Sequence, residues 1–250
     1  IRGHLVSDYG VRPEHTVPTG NGLNPDDPHF RLRSEEEIIA KLREYQIPLD
    51  KPLMVAWGRA VAYKRFDIVM KVAAELGDLV HAVVIVSPRS PELLALKEQL
   101  PVNMSLIFAF DAELVACLLQ WKHTVAVPIL AYLEPCGLTP METRMQARRQ
   151  GPLVITSDTG GLPEQIAHGV DGFVTRQDDV AHVAETVRKI LAMSEAEKER
   201  MRKAGLERIL HQYTWRSQVL TTLAALSPHV RMVAEEVRSE CIAEELRALA

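Results

Sequence analysis

The sequence predicts an α/β fold: a mostly parallel sheet sandwiched by helices. Two observations predict it. Short apolar runs alternate with longer stretches whose apolar residues recur at helical spacing, the pattern of successive βα units. A chain of 250 residues that is 47% hydrophobic and 25% charged is also close to globular averages, and it can bury one substantial core.

In chain order, His15–Phe30 is rich in turn formers. Pro18, Gly20, Gly22, Pro25 and Pro28 all break regular structure, so the segment is expected to be a linker followed by a surface loop. Strands are expected over Leu53–Trp57, His81–Val86, Met104–Ala109, His123–Val127 and Leu153–Thr156, with a shorter one over Gly172–Thr175. Helices are expected over Phe66–Leu76, Pro91–Leu100, Glu113–Trp121, Val180–Met193 and Glu195–Gln212. Ser194 followed by Glu197 makes a capping box for the last of these. Tyr213–Leu226 reads as a further helix ending near Pro228. Beyond it Val230, Val233, Ala234, Val237, Cys241 and Leu246 approximate one helical face, expected to pack on its own domain.

Composition narrows the function classes. A net charge of −4 gives no electrostatic reason to expect a nucleic-acid partner. Cys117, Cys136 and Cys241 lie far apart and form no Cys-x-x-Cys, so neither a disulfide framework nor a zinc ribbon is suggested, and a cytoplasmic location is expected. The chain has no apolar run of about 18 residues and no signal peptide. It opens with Ile1 and reads as a fragment or a cleaved product. A dinucleotide fold would want Gly-x-Gly-x-x-Gly after its first strand, and Gly20-Asn-Gly22 lacks the third glycine. The phosphate-binding loop with Gly-Lys-Ser/Thr, the Gly-x-Ser-x-Gly elbow and His-Glu-x-x-His are absent as well. The nine histidines form no ligand pair at helical spacing, so no metal site is expected.

Glu134-Pro-Cys-Gly-Leu-Thr-Pro-Met-Glu142 carries the most chemistry. Its two glutamates straddle the start of an expected helix that follows a strand. Gly137 permits close backbone approach, and the unpartnered first-turn N–H groups make a site for a diphosphate. Glu134 is placed to accept hydrogen bonds from sugar hydroxyls, and Glu142 from ribose hydroxyls. Gly58-Arg59 followed by Lys64, after the first expected strand, supplies a guanidinium fork and a point charge to offset a departing diphosphate. Ser157-Asp-Thr-Gly-Gly-Leu-Pro-Glu164 again links a strand to a helix, where Gly160 and Gly161 would let the backbone run close to a ligand. All three elements fall at the carboxyl ends of strands, where open α/β sheets bind ligands.

Taken together, these signatures resemble the carboxyl-terminal half of retaining GT-B glycosyltransferases, the glycosyl transferases group 1. The stretches that match are Gly58-Arg59 with Lys64, Glu134-Pro-Cys-Gly-Leu with Glu142, Thr159-Gly-Gly-Leu-Pro-Glu164 and His168-Gly-Val-Asp-Gly-Phe-Val174. The Glu-Pro-Cys-Gly-Leu wording is also similar to glycogen and starch synthases, whereas Glu142 favours the broader group. The resemblance implies a Rossmann-like domain over residues 20–226, preceded in 1–19 by the end of an acceptor domain and its linker, and followed in 227–250 by a terminal helix.

It further implies that Arg59 and Lys64 hold the donor diphosphate, with Glu134 at the donor sugar and Glu142 at the ribose. The backbone at Cys136, Gly137, Leu138 and Thr139 would reach sugar and phosphates, and the nucleoside would lie near Phe110 and Asp111. The implied substrate is a UDP, GDP or ADP sugar. A hexosyl group would pass to an unspecified acceptor with retention, through front-face attack assisted by the leaving phosphate, with neither cofactor nor metal. The absence of any Asp-x-Asp agrees with that. The acceptor domain is the implied partner, and residues 1–250 alone are expected to bind a nucleotide weakly and to transfer nothing. Membrane association of a longer protein stays open.

Two departures stand out. Between Glu142 and Gly151 the chain has about four residues more than the usual spacing, which one extra helical turn would absorb. Ala131 replaces a serine three residues before Glu134. Two other readings share the fold: a non-catalytic partner subunit and a GT-B-type sugar epimerase.

Overall fold

The computed structural model describes residues 6–13, 16, 20–88, 97 and 100–226. Among them six strands form one parallel sheet: β1 (Leu53–Arg59), β2 (His81–Ser87), β3 (Met104–Ile107), β4 (Thr124–Ile129), β5 (Leu153–Ser157) and β6 (Phe173–Thr175), in the order β3-β2-β1-β4-β5-β6. The helices are α1 (Glu35–Glu44), α2 (Phe66–Leu76), α3 (Ala112–Gln120), α4 (Thr139–Gln146), α5 (Val180–Ala192), α6 (Glu195–Gln212) and α7 (Trp215–Leu226). This is the expected Rossmann-like sandwich. The helix expected over Pro91–Leu100 falls almost entirely outside the described residues, as do the face from Val230 to Leu246 and most of the segment before Gly20. No helix among the described residues is long and apolar enough to cross a membrane.

The strands read as continuous apolar runs because the sheet is covered on both faces. Met54 and Ala56 of β1, with Ala82, Val84 and Val86 of β2, face a core built with Ile68, Val72 and Leu76 of α2 and Val183, Val187 and Ile190 of α5. Their neighbours Leu53, Val55, Trp57, Val83 and Ile85 face the other way, against Ile38 and Leu42 of α1 and Leu114 and Leu118 of α3. Each fully buried aliphatic side chain contributes about 1.5–3 kcal/mol, so this alternation specifies register as well as stability.

Several expectations need correction. Glu35–Glu44 is a helix that the sequence reading passed over, although Ser34 and Glu37 form a capping box there with both reciprocal bonds present. The stretch after Gly20 is more than a surface loop. Leu23 and Phe30 are buried with Met141 and Met145 of α4 and Leu206 and Ile209 of α6, because α4 has an apolar side that the sheet does not cover. β1 runs on through Arg59, so Gly58 and Arg59 end the strand instead of following it. The extra residues after Glu142 do not lengthen α4, which stops at Gln146. They bend back against the end of α3, where Gln150 Nε2 donates to the Gln120 carbonyl at 2.9 Å. Gly151 there has φ +111°, and a Cβ on it would meet the Leu119 carbonyl oxygen at 2.2 Å.

One irregularity positions the site. Pairing of β1 with β4 is confined to Leu53 and Met54, with a register shift between them. Beyond Met54 the two strands have no further ladder partners, and β4 carries Pro128, which has no N–H to donate. A small cavity of about 20 Å³ lies there, lined by Trp57, Val127, Pro128, Ile129 and Lys64 among others. This is also where the strand order reverses, since β1 leads to β2 on one side and β4 leads to β5 on the other. Open sheets bind ligands at that crevice.

Candidate functional site

Two loops meet over the crevice. After β1, a single turn of 3₁₀ helix at Ala62–Lys64 lifts Lys64 towards the gap, and Arg65, in the left-handed region at φ 55°, starts α2. After β4 the chain from Leu130 to Leu138 reaches α4. Leu133 is also left-handed, at φ 55°, and this turn aims Glu134 back over the sheet. The Lys64 ammonium donates to both carboxylate oxygens of Glu134 at 2.7 Å, and each side chain is less than one-seventh exposed. A backbone bond ties the loops together, from Tyr132 N–H to the Tyr63 carbonyl at 2.7 Å.

Arg59, at the end of β1, is exposed at the mouth, and its guanidinium donates to the Tyr63 hydroxyl at 2.7 Å. The open cleft in front has a volume of about 650 Å³ and is lined by Gly20, Asn21, Arg59, Tyr63, Tyr132, Leu133, Glu134, Pro135 and Cys136. The α4 N-terminus receives no side-chain cap. Leu138 stands at the cap position, and Pro140 in the first turn has no N–H. The Met141 and Glu142 N–H groups both donate to the Leu138 carbonyl at 2.9 Å, so the groups that α4 leaves uncapped are those at its very start, around Leu138 and Thr139. Glu142, in that first turn, is half-buried, and its carboxylate has no hydrogen-bond partner among the described residues. Burial raises its carboxyl above the ordinary 4.5, and the positive charge of Lys64 partly opposes the rise.

α4 is anchored from behind. Arg144 donates to the Gln165 carbonyl at 2.7 Å and to Asp171 Oδ1 at 2.8 Å, with both side chains buried, and Arg208 donates to the second Asp171 oxygen. Asp171 belongs to the His168–Val174 stretch, which is thereby tied to α4. What the assembled residues can do is hold a dianionic group between a lysine, an arginine and a helix start, beside a carboxylate able to accept from hydroxyls.

A family model described as glycosyl transferases group 1 matches residues 37–208, well over half of the chain. The chain belongs to this family. It is 33% identical over 153 residues to a D-inositol 3-phosphate glycosyltransferase of Mycolicibacterium paratuberculosis, covering 58% of this chain and 33% of that one. A glycosyltransferase from Rickettsia africae has the same fold, with a TM-score of 0.77 at 16% identity over 96% of this chain and 61% of that one. An Anabaena protein solved in complex with UDP-glucose matches with a TM-score of 0.71, at 16% identity over 90% of this chain and 60% of that one. Relatives of this group 1 chain are longer: it spans 33% to 47% of the first curated ones.

Within this group 1 domain the remaining expected residues part company. Phe110 is 60% exposed after β3, at the same end of the sheet. Asp111 is engaged within the fold: its carboxylate caps α3 through the Leu114 N–H at 3.0 Å and accepts from Tyr45 and Lys41, each at 2.8 Å. Burial alone would raise that carboxyl, but the bonds from Lys41, Leu114 and Tyr45 outweigh it and hold it at about 2.

Gly160 and Gly161 have a packing reason of their own. A Cβ on Gly160 would lie 2.5 Å from the Glu134 carbonyl oxygen, and one on Gly161 would lie 1.8 Å from that of Pro135. Gly161 N–H also donates to the Glu134 carbonyl at 2.8 Å, so this turn is the floor on which the Glu134 loop rests. Gly137 is less constrained: a Cβ there would lie 3.1 Å from the Glu134 carboxyl carbon, a tight contact with a side chain that can shift. At Ala131, the departure from the pattern, the carbonyl accepts from Ser157 Oγ at 2.8 Å.

The structure adds residues that the sequence reading passed over. Asn21 Nδ2 donates to the Cys136 carbonyl at 2.7 Å, and Gln165 Nε2 donates to the Gly137 carbonyl at 3.2 Å, so two amides hold the loop from both sides. Asn21 between two glycines was a signal in plain view. Gln165 and Tyr132 carry none.

Proposed function

We propose that this domain is the donor-binding half of a retaining, metal-independent hexosyltransferase that takes a nucleoside-diphosphate sugar, with the acceptor held by a second domain. The observation that carries the reading is the meeting of Lys64, Arg59, Glu134 and the uncapped start of α4 at the point where the strand order reverses. Two cations and a helix N-terminus offset the charge that grows on a departing diphosphate without calling on a metal. In the reaction the bond between the anomeric carbon and the diphosphate oxygen breaks. The acceptor oxygen bonds to the same face, and its proton passes to a phosphate oxygen.

Glu134 orients the hexosyl hydroxyls, and the backbone from Cys136 to Thr139 lines the sugar and phosphates. Glu142 meets the ribose hydroxyls, which give its half-buried carboxylate the partners it lacks. Phe110 offers an exposed ring to the base. The UDP-glucose complex of the Anabaena protein supports a nucleoside-diphosphate sugar as ligand class, and the greater length of the curated relatives supports a second domain. A cytoplasmic location belongs to the same reading, and the free thiols Cys117 and Cys136 fit it.

Calorimetry of the folded 250-residue chain with UDP, GDP and ADP tests this. Binding of one diphosphate in preference to the others is expected. No binding of any of them overturns the donor site and favours a docking subunit that keeps only the fold. Glycosyl transfer by the chain alone, in a single-turnover assay, overturns the need for a second domain.

A further inference from the structure

Tyr63 stands between the two cations of the site. Its hydroxyl accepts from Arg59 at 2.7 Å, and the Lys64 ammonium lies 5.5 Å from the centre of its ring. Its carbonyl accepts from Tyr132, joining the loops that supply Lys64 and Glu134. Its backbone is held in turn by the 3₁₀ bonds from Lys64 N–H to the Val61 carbonyl at 3.0 Å and from Arg65 N–H to the Ala62 carbonyl at 3.1 Å. Among the described residues Arg59 has no carboxylate partner, and the phenol oxygen is what restrains it.

The chemistry of that restraint matters. A carboxylate at position 63 would hold Arg59 equally well, but it would cancel the charge that an anionic ligand needs. A phenol accepts the hydrogen bond as a neutral group, and its ring attracts an ammonium through a quadrupole that leaves the cation's charge in place. Lys64 is already neutralised by Glu134, so Arg59 is the cation at the mouth whose charge is free to meet a diphosphate. An exposed arginine otherwise loses much of its rotamer freedom on binding. Part of that cost is met in advance when Tyr63 holds it.

We infer that Tyr63 is a positioning residue that holds Arg59 and Lys64 for a diphosphate while leaving the Arg59 charge uncancelled. The inference rests on the donor-site reading above and deepens it. It concerns how tightly the phosphates are held, and it leaves base and sugar recognition to other residues.

The test compares the parent chain with Tyr63→Phe and Tyr63→Glu by calorimetry, using the nucleoside, its monophosphate and its diphosphate for the base that the parent binds. Tyr63→Phe keeps the ring and loses the bond to Arg59. It is expected to weaken diphosphate binding about three- to tenfold, the share of an ordinary hydrogen bond at an exposed site, while nucleoside binding stays within about twofold. Tyr63→Glu is expected to weaken the diphosphate more than tenfold, roughly, through cancellation of the Arg59 charge. A general loosening of the cleft would weaken nucleoside and diphosphate alike, and that outcome overturns the inference. Unchanged diphosphate affinity in both variants overturns it and leaves the donor site standing. Absence of diphosphate binding by the parent overturns both.

Discussion

The Lys64 ammonium lies 2.7 Å from both carboxylate oxygens of Glu134, and the two residues reach each other from the loops after β1 and β4. The pair closes over the crevice beyond the ends of those strands, where the strand order reverses. Under the proposed donor site, a nucleotide sugar seated in the cleft would draw Lys64 towards its phosphates and free Glu134 for its sugar, exchanging one compensated arrangement for another.

Removing one partner exposes the value of that arrangement. Lys64→Ala is expected to weaken binding of the preferred nucleoside diphosphate by about 2–5 kcal/mol, read by calorimetry. It also leaves Glu134 sheltered without its cation, so denaturant unfolding should show a stability loss that Lys64→Ala with Glu134→Gln partly restores. A double variant no more stable than Lys64→Ala would contradict the coupling.

Glu142 sets a dependence on pH. Its folded carboxyl binds a proton more tightly than the ordinary 4.5 of the unfolded chain. The folded state therefore holds more protons as pH rises from 4.5 through the raised value, and the parent loses stability across that window. Glu142→Gln has no carboxyl to ionise, so its stability relative to the parent should climb through the same window and level off above it. Urea unfolding at a series of pH values reads this, and a gap that does not vary with pH would sink it.

Asp111 has the opposite sign. Its carboxyl falls from 3.8 unfolded to about 2 folded, so it contributes stability above 3.8 that is lost as pH falls through about 2. Asp111→Asn is expected to cost roughly 2 kcal/mol at neutral pH, with the difference vanishing near pH 2. Because the carboxylate caps α3 and touches no proposed ligand, diphosphate affinity should stay within about twofold of the parent. A selective loss of nucleotide binding at unchanged stability would return Asp111 to the nucleoside site.

Gly161→Ala tests the floor under Glu134. A methyl group 1.8 Å from the Pro135 carbonyl oxygen cannot be accommodated without moving that loop. A destabilisation on the order of 3 kcal/mol and loss of diphosphate binding are expected, measured by thermal unfolding and calorimetry. Gly169→Ala is the control. It has φ +76° but nothing within 4 Å, so it should cost about 1 kcal/mol of backbone strain and leave binding unchanged.

Much of this was legible in one dimension. The apolar runs located all six strands, with ends that shifted by one to two residues, and Ser194 with Glu197 located the start of α6. The identical device at Ser34 and Glu37 is equally legible in the sequence, although it directly follows a turn-rich stretch. The loop after α4 was not legible. Its course depends on the carbonyls of Leu119 and Gln120, which local spacing does not contain.

Sequence alone determined the class of sheet, the sites where strands give way to helices and the presence there of Arg59, Lys64, Glu134 and Glu142. These follow from hydrophobic period and turn chemistry, which act between near neighbours. Only the tertiary structure decided that the β1–β4 ladder shifts register after Leu53, that Lys64 and Glu134 meet from the loops beyond those strands, and that Asp111, Gly160 and Gly161 each make close contacts within the fold. The physical reason is range: charge pairing, carbonyl contacts and shared burial join residues tens of positions apart, and no local period records them.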